Sequence, residues 1–242
     1  MIIKETLKML KRTAVIALVT VGAVALADEP KADGLSANVP EAKDYQLVYD
    51  LDLTKVNREF NYDVDNSAKL AGKAFDRIAY FVELQPNEGD PQYLYVSMDA
   101  FTGDVTKIGV PTIASGSIFQ QPIVNMNVVT NVKGIATGTG LKGNIEFWPT
   151  NYSQGNSAKV PGADEANFDF GDQPSTGSGD YGSMQVHNTD AKQTLFAVNH
   201  WVVGREADIG IGNAPSGNPD WTFSASSKKY KNMRLRVLVH VK

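Results

Sequence analysis

The sequence predicts an all-β protein, an antiparallel β-sandwich with a jelly-roll-like strand order. Hydrophobic residues recur with a period of two in short stretches, and clusters of Gly, Pro, Asn and Asp separate these stretches. No stretch after residue 44 keeps the 3.6-residue period of an amphipathic helix. About ten short strands of this kind favour a sandwich over a parallel α/β sheet, with a β-barrel as the structural alternative.

The expected strands follow this alternation from one end of the domain to the other. Residues 45–53 predict the first strand, because hydrophobic side chains alternate there with Gln46, Asp50 and Asp52. The later strands are expected near residues 78–84, 94–100, 124–128, 144–148, 183–187, 194–201, 208–212, 221–223 and 233–241. Residues 149–180 form a long segment rich in turn formers, and loops of that length in compact domains are often functional.

The N-terminus has the pattern of a cleavable signal peptide over residues 1–27. Basic residues precede an uncharged run of fifteen residues, 13–27, which ends in Ala25-x-Ala27. A membrane anchor is the alternative, but a spanning helix needs about 20 apolar residues. Residues 28–44 are polar and contain proline, which predicts a flexible tether before a single domain over 45–242. The expected location is therefore secreted, periplasmic or in the cell envelope.

Charge and cysteine content exclude several classes of partner and chemistry. Removing residues 1–27 takes away four basic side chains and Glu5, so the formal net charge moves from −4 to −7. An acidic protein without runs of Lys and Arg is not expected to bind nucleic acid. The absence of cysteine excludes disulfides, thiolate catalysis and cysteine metal sites. The domain must therefore be held together by its hydrophobic core.

The common hydrolase signatures are absent. No serine lies in a Gly-x-Ser-x-Gly motif, and the sequence has neither a Gly-Asp-Ser block nor an Asp-x-x-His pair. None of His187, His200 and His240 begins a His-Glu-x-x-His zinc motif. Carboxylate pairs for glycoside hydrolysis stay open, because that mechanism depends on a spacing that a sequence does not contain. We therefore assign no catalytic residue, and a non-enzymatic protein is favoured.

Metal binding is not predicted by any motif. His187 and His200 are thirteen residues apart and could share an ion across a hairpin, but zinc sites use three or four ligands. Oxygen ligands for calcium are plentiful in "FDFGDQP", "DIGIGN" and "GNPDW", although none follows EF-hand spacing. We expect no cofactor and leave a structural calcium ion open.

Three tryptophans at expected strand ends predict a sugar-binding surface. Trp148, Trp201 and Trp221 are each flanked by Asn, Asp or Gly turns. A ring at a strand end can offer a flat apolar face to a sugar while neighbouring amides and carboxylates bind its hydroxyls. Core packing is the alternative for each ring. The candidate ligand-binding residues are Trp148, Tyr152, His187, Asn199, Trp201, Asp220 and Trp221.

The stretch "DYGSMQVHNTDAKQTLFAVNHW", residues 180–201, predicts a β-hairpin with its turn at "TDAK". Met184 and Val186 are expected to point inward, which leaves Ser183, Gln185 and His187 on an outer, solvent-facing side. On this interpretation, replacing His187 by alanine costs little stability, whereas Met184→Asp costs several kcal/mol.

The strings "FDFGDQPSTGSGDYGSMQVHN", "QTLFAVNHW", "DIGIGN", "GNPDWTF" and "RLRVLV" occur in this order. Together they resemble a domain of planctomycete secreted proteins labelled as sialate O-acetylesterases or their relatives, over about residues 45–241. In the longer proteins of this kind an SGNH esterase domain would carry the hydrolysis, and this chain lacks its signatures. The resemblance implies an accessory β-sandwich of carbohydrate-active proteins.

We therefore expect a secreted, non-catalytic module that binds glycan or cell-surface polysaccharide. The alternative is a hydrolase, similar to sialate O-acetylesterases, acting on acetylated or polymeric sugars. A third hypothesis is a structural component of the cell envelope. Retention on polysaccharide without turnover would separate the first two, and self-association without any sugar would indicate the third. No membrane contact is expected beyond the signal peptide before its cleavage.

Overall fold

One curled antiparallel sheet dominates the computed structural model, which describes residues 35–54, 62–110, 119–148, 181–201, 208–212 and 229–242. Its ten strands in these ranges are β1 (Gln46–Asp52), β2 (Val64–Asp65), β3 (Phe75–Pro86), β4 (Gln92–Asp99), β5 (Phe119–Thr130), β6 (Gly138–Trp148), β7 (Tyr181–Asn188), β8 (Gln193–Trp201), β9 (Asp208–Ile211) and β10 (Tyr230–Val241). The prediction of an all-β, sandwich-like antiparallel fold is confirmed, whereas the jelly-roll strand order is not confirmed.

The strand order follows the chain over most of the sheet. It is β2-β1-β10-β3-β4-β5-β6-β7-β8-β9, so the strands from β3 to β9 are neighbours in sequence order. The exception is β10, which enters between β1 and β3 and pairs with both in antiparallel register. The first long strand and the last strand of the chain therefore lie side by side, second and third from the β2 edge of the sheet.

Ring contacts across the sheet show how strongly it curls. Tyr80 of β3 and Phe196 of β8 have ring centroids 5.8 Å apart, although their strands are five positions apart in the sheet. In a flat sheet those strands would be about 24 Å apart, because neighbouring strands are about 4.8 Å apart. The sheet therefore folds back on itself, and the side that it encloses is called the inner face.

The inner face carries the main hydrophobic core. Alternate residues of β3 such as Ile78, Tyr80 and Val82 are completely buried, as the period-two pattern predicts. Burying one Val, Leu or Ile side chain contributes about 1.5–3 kcal/mol relative to leaving it exposed. The same alternation in β10 buries Met233 and Leu235 against this core.

Residues 35–44 pack on the outer face of the sheet, which differs from the tether expected over residues 28–44; residues 28–34 lie outside the described residues. Helix α1 (Leu35–Asn38) is followed by a 3₁₀ helix (Pro40–Asp44). Leu35, Val39 and Ala42 are buried there against side chains of β3 and β4. Their spacing of four and three residues places them on one side of a helical path, but the run is too short to show a helical period. The expected signal peptide, residues 1–27, lies outside the described residues.

Glu41 ties this segment to the sheet through hydrogen bonds. Its Oε1 accepts a hydrogen bond from Ser97 Oγ at 3.0 Å, and its Oε2 accepts one from Asn127 Nδ2 at 2.6 Å. Arg77 extends the network, because its Nη2 donates to Ser97 Oγ and its Nη1 forms an ion pair with Asp99 at 3.0 Å. The segment is therefore anchored to both β4 and β5.

The remaining regular elements are short. Helix α2 (Ser67–Leu70) follows β2, and a second 3₁₀ helix (Val105–Lys107) follows β4. Two buried tyrosines hold the segment after β4 under the inner face: Tyr49 Oη donates to Val105 O at 3.0 Å, and Tyr80 Oη donates to Ile108 O at 2.8 Å. In the described ranges, no helix has both the length and the hydrophobicity to span a membrane.

Candidate functional site

The candidate ligand-binding residues differ in how much of each is described. His187 has a described side chain, whereas Trp148, Asn199 and Trp201 are described as strand positions only. The other candidates lie outside the described residues: Tyr152, Asp220 and Trp221. The structure therefore describes the surroundings of the His187 side chain and the strand register of Trp148, Asn199 and Trp201.

The register of β6, β7 and β8 brings three candidates to the same end of three neighbouring strands. Trp148 pairs with Ser183, and Ser183 pairs with Asn199. Tyr181, two residues before Ser183 in β7, pairs with Trp201 of β8. Directly paired residues have Cβ atoms about 4.5–5.5 Å apart, so these five positions form one compact patch of backbone. We call them the strand-end set.

His187 is buried, which corrects the expectation of a solvent-facing histidine. Its side chain is 0% exposed, and its Nε2 lies 3.2 Å from Glu146 Oε1. Its Nδ1 lies 3.2 Å from Thr194 Oγ1. Gln185, expected on the same exposed side, is also 0% exposed. The expectation was wrong because alternation shows which residues share a face, but it does not show whether that face is covered.

Five side chains on the outer face of β6, β7 and β8 form a polar cluster that the sequence did not reveal. They are Asn144, Glu146, Gln185, His187 and Thr194, each at most 2% exposed. Neither amide atom of Gln185 has a hydrogen-bond partner among the described residues. Polar residues that alternate with hydrophobic ones usually indicate a wet face, so the sequence contains no signal for this cluster.

The cluster contains a hydroxyl, an imidazole and a carboxylate in series. Thr194, His187 and Glu146 are the types of group that nucleophilic acyl transfer uses. All three side chains are enclosed, and Thr194 is 0% exposed. The described geometry therefore suits a network that stabilises the three strands better than a site that admits a substrate.

A metal shared by His187 and His200 does not fit the register. His200 pairs with Gly182, which is five residues along β7 from His187. Five residues of a strand span about 17 Å, too far for two ligands of one ion. Within the described ranges, no group of three or more His, Cys, Asp or Glu side chains is placed to hold a metal. Of the three candidate calcium segments, 168–174 and 217–221 lie outside the described residues, and 208–213 is described only as far as residue 212, so a structural calcium ion stays open.

A second feature is an open groove of about 520 Å³ on the outer face, beside the turn between β3 and β4. We call it the hairpin groove. Its lining residues are Asn38, Glu83, Leu84, Gln85, Asp90, Pro91, Gln92, Tyr93, Asn131 and Asn232. None of them was a candidate for ligand binding on sequence grounds, because they come from five separate parts of the chain.

An ion-pair network runs from the groove floor across β10 to β1. Glu83 Oε2 lies 2.6 Å from Arg236 Nη1, and Arg236 Nε lies 3.4 Å from Asp50. Arg234 binds the same Asp50 carboxylate through two hydrogen bonds of 2.6 and 2.8 Å. Burial raises the pKa of Glu83 above its usual value, and the positive charge of Arg236 opposes that rise. The floor of the groove is therefore held in place and its charge is partly compensated.

No protein-family model, curated protein or solved structure matches this chain. The resemblance to planctomycete secreted proteins therefore stays an expectation.

Proposed function

We propose that this protein is a secreted, non-catalytic β-sandwich module that binds glycan or cell-surface polysaccharide. The observation that supports it best is the strand-end set, in which the register gathers Trp148, Tyr181, Ser183, Asn199 and Trp201 at one end of three strands. Aromatic rings that offer apolar faces, next to amides and hydroxyls that form hydrogen bonds, are the usual combination in ligand sites of mixed polarity.

The polar cluster provides rigid support for such a site. Glu146 pairs with Gln185, and Trp148 and Ser183 are the pair two residues further along the same strands. The contact between Glu146 Oε1 and His187 Nε2 joins β6 to β7, and the contact between His187 and Thr194 joins β7 to β8. A binding site held by buried polar contacts loses less conformational entropy when the ligand binds.

The charge of the protein favours neutral glycans over polyanionic ones. With residues 1–27 removed, the formal net charge is −7. A negative protein repels a polyanion at a distance and slows its association. We therefore expect retention on neutral polysaccharides to exceed retention on acidic ones.

The experiment compares Trp148→Ala and Trp201→Ala with the wild type by affinity electrophoresis and calorimetry on neutral and acidic polysaccharides. We expect at least one variant to bind at least about tenfold more weakly, a loss of about 1.4 kcal/mol, without a lower melting temperature. Phe147→Ala is the reference for a core aromatic, because Phe147 is 2% exposed on the inner face. A wild type that binds none of the polysaccharides would contradict the proposal.

The hydrolase is the second candidate function, and the series of Thr194, His187 and Glu146 is the observation that favours it. An acetyl-ester release assay on the same preparations tests it. Thr194→Val removes the hydroxyl with little change of volume. Acetate release by the wild type that this variant abolishes, while its melting temperature is retained, would replace the binding proposal by the hydrolase.

A further inference from the structure

The floor of the hairpin groove is built by three neighbouring strands. Arg234, Glu83 and Tyr93 lie in one row across β10, β3 and β4. Asn232 pairs with Gln85 in the next row of β10 and β3. Their neighbours Leu84, Leu94 and Met233 are buried in the inner core. The sheet therefore presents a carboxylate, two amides and an aromatic ring side by side on its outer face.

The edges of the groove are held by hydrogen bonds. Asn131 Nδ2 donates to Pro91 O at 2.8 Å, and Asn131 Oδ1 accepts from the Tyr93 amide at 2.9 Å. Gln85 Nε2 donates to Gly89 O at 3.3 Å across the turn. Asn38, at the end of α1, lines the groove from the N-terminal segment. The shape of the groove is thus set before a ligand arrives, which lowers the entropy cost of binding.

The Tyr93 ring is only partly buried, and its position is supported from below. Its centroid lies 6.3 Å from that of Phe81, and the Arg236 guanidinium lies 5.9 Å from the Phe81 ring centroid. An aromatic ring supported in this way offers a flat apolar surface at the side of a polar groove.

The lining chemistry matches a molecule that both donates and accepts hydrogen bonds. Amides do both, whereas ionised carboxylates only accept. The described lining has five amide side chains, of which those of Gln85 and Asn131 also bond to backbone groups at the groove edges: Asn38, Gln85, Gln92, Asn131 and Asn232. Hydroxyl groups on a saccharide satisfy amides and carboxylates alike, and the C–H face of a sugar ring can lie on Tyr93.

The charges of the lining select against an anion. Among the described residues of the lining, Glu83 and Asp90 are the charged ones, and none is Lys, Arg or His. Arg236 is bound to Glu83 and Asp50, and Arg234 is bound to Asp50, so both arginines of the floor network already have carboxylate partners. A uronic or sialic acid carboxylate would therefore approach two acidic side chains without a matching cation.

From this lining we propose that the hairpin groove is a second ligand-binding site, which takes a short neutral saccharide. Its volume of about 520 Å³ lies within the range of small-molecule pockets, about 300–1,000 Å³. The groove shares no residue with the strand-end set. The proposal goes beyond a single glycan surface, although its ligand class rests on the proposed function.

Isothermal titration calorimetry of the mature chain with cellotetraose, maltotetraose and tetragalacturonate tests the proposal. The variants are Tyr93→Ala and Asn232→Leu, of which the second removes an amide without emptying its space. The matched control is Glu88→Ala, because Glu88 is exposed in the same turn and is not part of the lining. We expect a neutral tetrasaccharide to bind the wild type and the control with equal affinity and stoichiometry, whereas both groove variants bind it at the groove at least tenfold more weakly and keep only the binding at the strand-end set. Tetragalacturonate should not bind the groove.

Melting curves distinguish loss of the groove site from loss of the fold, and the strand-end variants Trp148→Ala and Trp201→Ala distinguish the two binding sites. Groove variants that melt like the wild type and lose the neutral ligand at the groove support the site. Groove variants that keep wild-type affinity, while Trp148→Ala or Trp201→Ala loses it, overturn the groove and leave the glycan function intact. A wild type that binds no saccharide overturns both proposals. If Tyr93→Ala unfolds, the affinity of Asn232→Leu for the neutral tetrasaccharide is the test of the groove. If the wild type binds tetragalacturonate and Asn232→Leu abolishes that binding, the groove takes an acidic saccharide and the neutral ligand class is refuted.

Discussion

Glu146 and His187 meet in the interior on the face of the sheet that lies opposite the main hydrophobic core. Their side chains are 2% and 0% exposed, and Oε1 and Nε2 are 3.2 Å apart. A buried pair of this kind loses its hydration on folding and recovers that cost only while both partners are present. His187 therefore has a structural role in the described fold.

His187→Ala should lower the free energy of unfolding by about 3–5 kcal/mol, because it leaves the buried Glu146 carboxylate without its imidazole. This reverses the small effect that the sequence pattern predicts. Urea unfolding at pH 7 measures it. His240→Ala is the control, because His240 is 38% exposed and bonds to the exposed Asp76 at 2.8 Å. Equal urea midpoints for the two variants would show that the contact between Glu146 and His187 contributes nothing to the free energy of unfolding.

Met184→Asp should destabilise the protein by several kcal/mol, because it places an unpaired carboxylate in the inner core. Met184 is 0% exposed and lies opposite Phe147 and Val198. The matched control is Val124→Asp, since Val124 is a large hydrophobic residue that is 48% exposed. Thermal unfolding of the two variants is the measurement, and Met184→Asp should have the lower melting temperature. A Met184→Asp protein that melts with the control would contradict the inward position.

Asp104 should give the protein a small stability term that disappears in acid. Its carboxylate accepts hydrogen bonds from Thr106 Oγ1 at 2.6 Å and from the Thr106 amide at 3.0 Å, and these bonds lower the pKa of Asp104. A pKa that is lower in the folded state stabilises the fold above the unfolded value, near pH 4, and the effect is lost as the pH falls through the folded pKa.

Carboxyl-carbon NMR titration of Asp104 measures this shift directly. In Asp104→Asn the same position cannot ionise, so the stability difference between wild type and variant should shrink between pH 7 and pH 2.5. A difference that stays constant over that range would argue against the pKa shift.

The N-terminal segment shows how an element can be ordered by the sheet that it covers. Helix α1 and the 3₁₀ helix after it are four and five residues long, so neither is stable alone. Their hydrophobic side chains and the Glu41 hydrogen bonds to Ser97 and Asn127 supply the missing stability. The segment in turn covers Phe81 and Tyr95, which would otherwise expose large apolar surfaces.

Leu35→Ala should cost about 2–5 kcal/mol, as truncation of a buried leucine usually does. Leu35 is 2% exposed on the outer face of the sheet. A flexible tether over residues 28–44 would predict no change at all. Lys43→Ala is the control, because Lys43 is exposed in the same segment. Guanidinium unfolding of both variants distinguishes an ordered, packed segment from a flexible tether.

In the molecule as a whole, ion pairs between residues that are far apart in the sequence join neighbouring strands of the sheet. Arg234 and Asp50 are 184 residues apart, and Arg236 and Glu83 are 153 residues apart. Contacts over such distances require closure of long loops, so folding is expected to be slower than for a protein with local contacts. The last strand, β10, joins β1 to β3 and completes this half of the sheet.

Secretion, which belongs to the proposed function, makes a prediction about the whole chain. If residues 1–27 are a signal peptide, the protein recovered outside the cytoplasm begins at Asp28. Intact-mass measurement of the exported protein determines its first residue. A product that still carries residues 1–27 would favour the membrane anchor.

The sequence by itself determined the all-β class and the position of most strands. The alternation over residues 78–84, 94–100 and 233–241 predicts strands that lie within β3, β4 and β10, give or take one residue. The reason is that the period of two is a local property, because successive side chains of an extended chain point to opposite faces. The two-residue strand β2 and the short helices were missed, since so few residues cannot establish a period.

Only the tertiary structure decided which faces are covered and which residues meet. His187 and Gln185 alternate with hydrophobic residues as surface side chains do, yet both are buried. The hairpin groove likewise combines Asn38, Tyr93 and Asn232 from distant parts of the chain. The physical reason is the same in both cases: burial and proximity depend on what packs against a strand from elsewhere in the chain, and local spacing contains no information about that partner.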